Sequence, residues 1–129
     1  MTLLAASVAP AEHLIPYRFV VLGYVLDAAG GPVAGQAVEL VRDKTGFSYV
    51  DETDPRGLFV LIARLSDESL GEPLTLRVGA RSTRITARFD PDNHVEERGT
   101  RVDLVGAGFV ERAASFRSTL ARFLAEPAR

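Results

Sequence analysis

Between Val21 and Phe59 the chain repeats one arrangement: a run of alternating or wholly apolar residues, a Gly/Pro turn, and another such run. Val21-Leu22-Gly23-Tyr24-Val25-Leu26-Asp27 leads into Gly30-Gly31-Pro32-Val33-Ala34-Gly35, and Val38-Glu39-Leu40 follows. Thr53-Asp54-Pro55-Arg56-Gly57 then opens onto Leu58-Phe59. Period-two patterning broken by residues that stop pairing or allow positive φ constrains the chain to short strands joined by tight turns. Residues 17–27 (YRFVVLGYVLD) are apolar on both faces, so this segment is predicted to be a central strand with neighbours on each side.

The same reasoning extends along the chain. A second strand is expected at about 36–43, a turn at Asp43-Lys44-Thr45-Gly46, a third strand through Phe47, Tyr49 and Asp51, and a buried strand over Leu58-Phe59-Val60-Leu61-Ile62-Ala63. Leu74, Leu76 and Val78 alternate with Thr75 and Arg77; after a turn near Ala80-Arg81-Ser82, Ile85, Ala87 and Phe89 alternate with Arg84, Thr86 and Arg88. Asp90 to Gly99 forms an acidic loop, and Thr100 to Val105 a last strand with Val102 and Leu104 inward. This spacing predicts a mainly β protein, a seven-stranded Greek-key sandwich, with one C-terminal amphipathic helix. The helix is read from Phe109, Ala113, Phe116, Leu120 and Phe123, with Leu124 alongside, after a Gly106-Ala107-Gly108 hinge. The domains are thus a flexible tail at 1–16, a sandwich at 17–105, and a hinge and helix at 106–129.

The motif Gly23-x-Val25-x-Asp27, Pro32-Val33-x-Gly35-x-x-Val38-x-Leu40 and Thr53-Asp54-x-x-Gly57-x-Phe59 resembles the carboxypeptidase regulatory-like domain over about residues 18–105. The resemblance implies a transthyretin-like, or prealbumin-like, sandwich. It also implies an accessory subunit of secreted or envelope proteins rather than a catalytic unit. The motif residues themselves read as structural: Gly23 permits a close approach of chains, Gly30 and Gly35 serve turns, and Asp54 accepts N–H bonds in an Asx-turn completed by Gly57.

Composition narrows the chemistry. With no cysteine, thiolate metal sites, thiol nucleophiles and disulfides are excluded. A formal net charge of −2 provides no basic field, so no nucleic-acid partner is expected. Only His13 and His94 are present, and His13 falls in the expected tail, so the sandwich holds one histidine where the iron site of intradiol dioxygenases requires two besides its two Tyr. The chain ends Glu126-Pro127-Ala128-Arg129, unlike the Tyr-Arg-Gly-Ser terminus of transthyretin-like 5-hydroxyisourate hydrolases. No Gly-x-Ser-x-Gly elbow, P-loop or dinucleotide fingerprint appears. The expectation is therefore that the chain is not an enzyme and takes no cofactor.

Several places remain where a partner or ligand can act. Asp90, Asp92, His94 and Glu96 alternate, so an extended loop sets them on one side, where a divalent ion can bridge them. Asp51, Glu52 and Asp54 form a second, weaker oxygen cluster. Arg77, Arg84 and Arg88 fall on one sheet face, with Arg101 as a neighbour, and an anion or adjacent acids such as Glu39 and Asp103 compensate them. Phe109, Phe116, Leu120, Phe123 and Leu124 form an apolar stripe that needs a surface, because a helix of about 17 residues is marginal alone. That surface is the chain's own sandwich, another subunit or second copy, or a membrane met peripherally through Arg112, Arg117 and Arg122.

The leading expectation is a non-catalytic accessory module for protein–protein interaction or assembly in an envelope complex. The alternative is a small ligand-binding or divalent-metal-binding domain built on the 90–97 loop and the arginine face. Leu3 to Ala11 is a short apolar run ending in the A-x-A signature Ala9-Pro10-Ala11, read either as a signal-peptide remnant of a periplasmic or secreted protein or as an alanine-rich cytoplasmic tail.

Overall fold

The computed structural model describes residues 15–126. The signal-peptide reading of Leu3 to Ala11, and His13, lie outside the described residues. Eight strands form two four-stranded sheets: β1 (Phe19–Leu26), β2 (Ala37–Arg42), β3 (Phe47–Glu52), β4 (Leu58–Ala63), β5 (Pro73–Val78), β6 (Arg81–Thr86), β7 (Gly99–Val105) and β8 (Gly108–Glu111). One sheet has the order β4-β1-β7-β8 and the other β3-β2-β5-β6. All neighbours pair antiparallel except β1 and β7, which run parallel. The helix α1 (Phe116–Ala125) follows a 3₁₀ turn at Ala113–Ser115.

Alternation decides the core. Phe19, Val21 and Val25 of β1, Phe59 and Leu61 of β4, and Val102 and Leu104 of β7 meet Val38 and Leu40 of β2, Leu74, Leu76 and Val78 of β5, and Ile85 of β6. The prediction that β1 is central holds, and the reason for its two apolar faces is specific. Its other face, Val20 and Leu22, lies under Phe116 and Leu120 of α1, with Val60 and Phe123 packed at the margin.

The C-terminal part corrects the expected hinge and long helix. Gly106, at φ 60°, turns the chain in a two-residue reversal, and Gly108–Glu111 pairs with β7 in the register Leu104↔Phe109 and Val102↔Glu111. Phe109 therefore belongs to an eighth strand and packs against the sandwich core instead of the helical stripe. The physical reason is hydrogen bonding. A helix starting at Phe109 leaves one edge of β7 unpaired, whereas a strand there satisfies it, and spacings of 4 and 3 are compatible with a short strand followed by a turn. α1 is consequently only 10 residues long.

Gly23 sits hard against β7. A Cβ there lies 1.8 Å from the Val102 carbonyl oxygen, a distance no side chain tolerates. Beside it the Tyr24 N–H donates to the Asp103 carboxylate (3.0 Å). The Asx-turn reading also holds: Asp54 Oδ1 accepts from the Arg56 and Leu58 N–H groups, and Gly57 sits at φ 80°. Gly23→Ala is expected to push β7 away from β1, to cost about 3 kcal/mol, and to lower Tm by about 10 °C. Thermal unfolding of the variant checks this, and an unchanged Tm excludes the close approach as a constraint.

Candidate functional site

The acidic loop does not gather its carboxylates. Asp90 Oδ1 accepts from the Asp92 N–H at 2.9 Å, Glu96 lies 3.9 Å from Arg117, and His94 turns away to Asp67, its Nε2 2.8 Å from Oδ2. Among the described residues no three of His, Asp and Glu converge as a metal requires, so the structure does not form the expected site of Asp90, Asp92, His94 and Glu96. Local hydrogen bonds of the loop backbone, absent from the alternation argument, decide this. The Asp51–Asp54 cluster is likewise occupied: Asp51 Oδ2 accepts from the Val60 N–H (2.8 Å), and Asp54 holds its turn.

What the loop builds instead is centred on Arg98, whose side chain is fully buried. Its Nη1 donates to Asp67 Oδ1 at 2.6 Å, and its Nη2 to the carbonyls of Pro16 and Leu65 at 3.0 and 3.4 Å. The guanidinium stacks 4.0 Å above the Phe89 ring. Arg98 first, and His94 second, hold the Asp67 carboxyl below the ordinary carboxylate range. The cluster fixes the imidazole of His94 beside an open hollow lined by Tyr17, Ser66 and Glu68. Ser66 Oγ donates to Glu68 rather than to the imidazole. No local sequence signal announces Arg98 or Asp67, because the partners are 31 residues apart in the chain.

The arginine face is interleaved with acids. Arg77 pairs with Glu39 at 3.5 Å and Arg84 with Asp43 at 3.3 Å, both arginines being more than half exposed. Arg88 lies beyond the end of β6 and lines a separate cavity. Arg101 is on the other sheet. Together with Arg112 it grips the buried Asp103, and it donates to Thr119 Oγ1 of α1 at 2.9 Å. This network fastens the helix. Phe116 and Leu120 are buried on the chain's own sandwich, Phe123 is half-buried, and Leu124 remains 67% exposed.

A larger groove lies elsewhere, along the seam where β3 and β4, the edges of the two sheets, run side by side. It is about 780 Å³ and is lined by Phe47, Tyr49 and Ile62 with Arg18, Arg42 and Arg64, and by no acidic residue. Phe47 is 60% and Ile62 54% exposed, and the Phe47 and Tyr49 rings meet edge to face at 5.1 Å. Glu72 holds Arg42 through two 2.7 Å bonds, and Arg18 pairs with Glu97. Along the outer edge, the Val60 N–H of β4 is taken by Asp51, and the N–H of Arg64, just past the strand's end, by the Tyr49 hydroxyl. The sequence marks Phe47 and Ile62 as ordinary strand residues, and only the tertiary approach of two edges exposes them together.

No family model and no curated protein matches the chain. Its fold is a transthyretin-like β-sandwich, as the motif resemblance implied. Among solved structures, 5-hydroxyisourate hydrolase of Klebsiella pneumoniae is 15% identical with a TM-score of 0.49, covering 74% of this chain and 97% of that one. The C-terminal domain of the type VI secretion (T6SS) protein TssM from EAEC is 10% identical, TM-score 0.48, covering 74% and 98%. Catechol 1,2-dioxygenase of Acinetobacter is 16% identical, TM-score 0.45, covering 67% of this chain; the chain spans 44% of the dioxygenase. The expectation that the chain is not an enzyme is corrected by these likenesses. A hydrolase and dioxygenases are among the solved structures similar to this sandwich.

Two outcomes follow from this geometry. Asp67 and Glu72, the latter held down by Arg42, have folded pKa values below their unfolded ones. They therefore stabilise the fold above the unfolded carboxylate value, and that stability is lost as pH falls from about 5 through the depressed folded values. Wild type should lose Tm more steeply than Asp67→Asn over that window in a pH series of melts; parallel curves would exclude Asp67 as a contributor. Phe116→Ala should cost about 3–5 kcal/mol by denaturant titration, since it opens a cavity over Val20 and Leu22. A loss below 1 kcal/mol would mean that the helix is not part of the cooperative unit.

Proposed function

We propose that the domain is a protein-interaction module and that its binding surface is the seam between β3 and β4. The observation that carries this reading is the joint exposure of Phe47 and Ile62 in a groove rimmed by arginines and free of acids. Aromatic residues and arginines are enriched among side chains that dominate binding energy. The exposed apolar lining selects a partner segment that presents apolar side chains. Recognition runs through side chains more than through strand addition, because the Asp51 carboxylate and the Tyr49 hydroxyl already cap the β4 edge on either side of Ile62. The helix is not part of this surface, because it is spent covering Val20 and Leu22.

Selection of random extended peptides on the full chain, followed by amide chemical-shift mapping, tests the proposal. The expected result is enrichment of apolar peptides whose shifts centre on Phe47, Tyr49 and Ile62. Phe47→Ala and Ile62→Ser, both surface changes, should each weaken binding about tenfold with little change in Tm. Peptides that map to another surface, or that bind both variants as tightly as wild type, would overturn it.

A further inference from the structure

We propose that a second cavity, between the segment after β6, the loop before β7 and the start of α1, binds a single phosphate-class oxyanion. The cavity is about 220 Å³ and shares no lining residue with the seam groove. Arg88, Arg98 and Arg117 line it against one carboxylate, Asp90, whose Oδ1 is engaged by the Asp92 N–H.

The three guanidinium groups are incompletely satisfied, each in its own way. Arg88 is exposed and makes no ion pair or hydrogen bond among the described residues. Arg117 donates from Nε to the Glu97 carbonyl at 3.3 Å, and its carboxylate neighbour, Glu96, is 3.9 Å away with both side chains more than half exposed. Arg98 is buried with both Nη atoms used, yet its Nε is a buried donor with no acceptor. An N–H of a buried cation without a partner is unfavourable, and native structures seldom leave one without a reason.

The helical segment also begins at this cavity, with Ala113, Ala114 and Phe116 in its wall, so the positive end of its dipole acts in the same sense. Arg88 and Arg117 facing a space of several water volumes, with the charge of the buried Arg98 behind its wall, suit a compact, multiply charged oxyanion that accepts from two sides. The space is too small for a nucleoside attached to that group. A singly charged carboxylate leaves more of the positive charge unanswered. The ligand chemistry is therefore a phosphate group, free or as the terminal group of a small monoester.

Titration of the full chain with inorganic phosphate, methyl phosphate and acetate at constant ionic strength tests the proposal, with the arginine Nε–H resonances as the readout. Saturable shifts at Arg88, Arg98 and Arg117 with either phosphate, and not with acetate, are expected. The tighter of the two phosphates identifies the free ion or the monoester as the source. Arg98 holds the fold together, so the informative variants are the surface changes Arg88→Gln and Arg117→Gln. Each should weaken binding about tenfold or more, while Arg77→Gln leaves it unchanged. Shifts that rise linearly without saturation, or equal binding by all three variants, would overturn the site.

Discussion

The rest of the structure depends on the burial of both faces of β1. One face, Phe19, Val21 and Val25, belongs to the core between the sheets, and the other, Val20 and Leu22, is apolar too and must be taken from water. Each such side chain gains about 1.5–3 kcal/mol on burial, so an uncovered second face forgoes a large share of a domain's net stability. α1 supplies the cover. Being 10 residues long it is marginal by itself, and it is held because Phe116 and Leu120 settle on Val20 and Leu22.

Carboxylates do much of the remaining fastening, and they do so by accepting from backbone N–H groups where the ladder is interrupted or ends. Asp103 accepts from Tyr24 where the β1–β7 register is interrupted between Leu22 and Val25, while Arg101 and Arg112 balance its charge. Asp51 caps Val60, and Asp54 caps Leu58, on the outer edge of β4. An edge strand with capped donors is poorly suited to pair with another chain, which protects the sandwich from edge-to-edge association and leaves side chains to define its surface.

How much could be read in advance varied with the range of the interactions involved. Strands β1 to β5 and β7 were legible because period-two alternation and turn residues are local properties. Both ends of β6 differ from the alternation: the strand starts at Arg81, within the expected turn, because Arg81 and Thr83 on the side of Ile85 are polar and weaken the pattern, and it ends at Thr86, before Ala87 and Phe89. Phe109 was placed on a helix because its spacing to Ala113 and Phe116 fits one, although its partner is Leu104 across a two-residue turn. Among candidate site residues, Asp90, Asp92, His94 and Glu96 share a loop without sharing a centre. Arg98 and Asp67 form a centre without any shared motif.

By itself the sequence determined the sandwich, because alternation, Gly/Pro turns and the Asp54–Gly57 turn act within a few residues and need no distant partner. It also excluded thiol chemistry and a basic field, which follow from composition alone. Only the tertiary structure decided that the chain beyond Gly106 first completes a sheet and then covers it, because an unpaired edge of β7 and an exposed face of β1 exist only once the strands are assembled. The same holds for the groove at Phe47 and Ile62 and for the three arginines around one cavity. Each is made by segments far apart in the chain, and distance along a chain carries no record of approach in space.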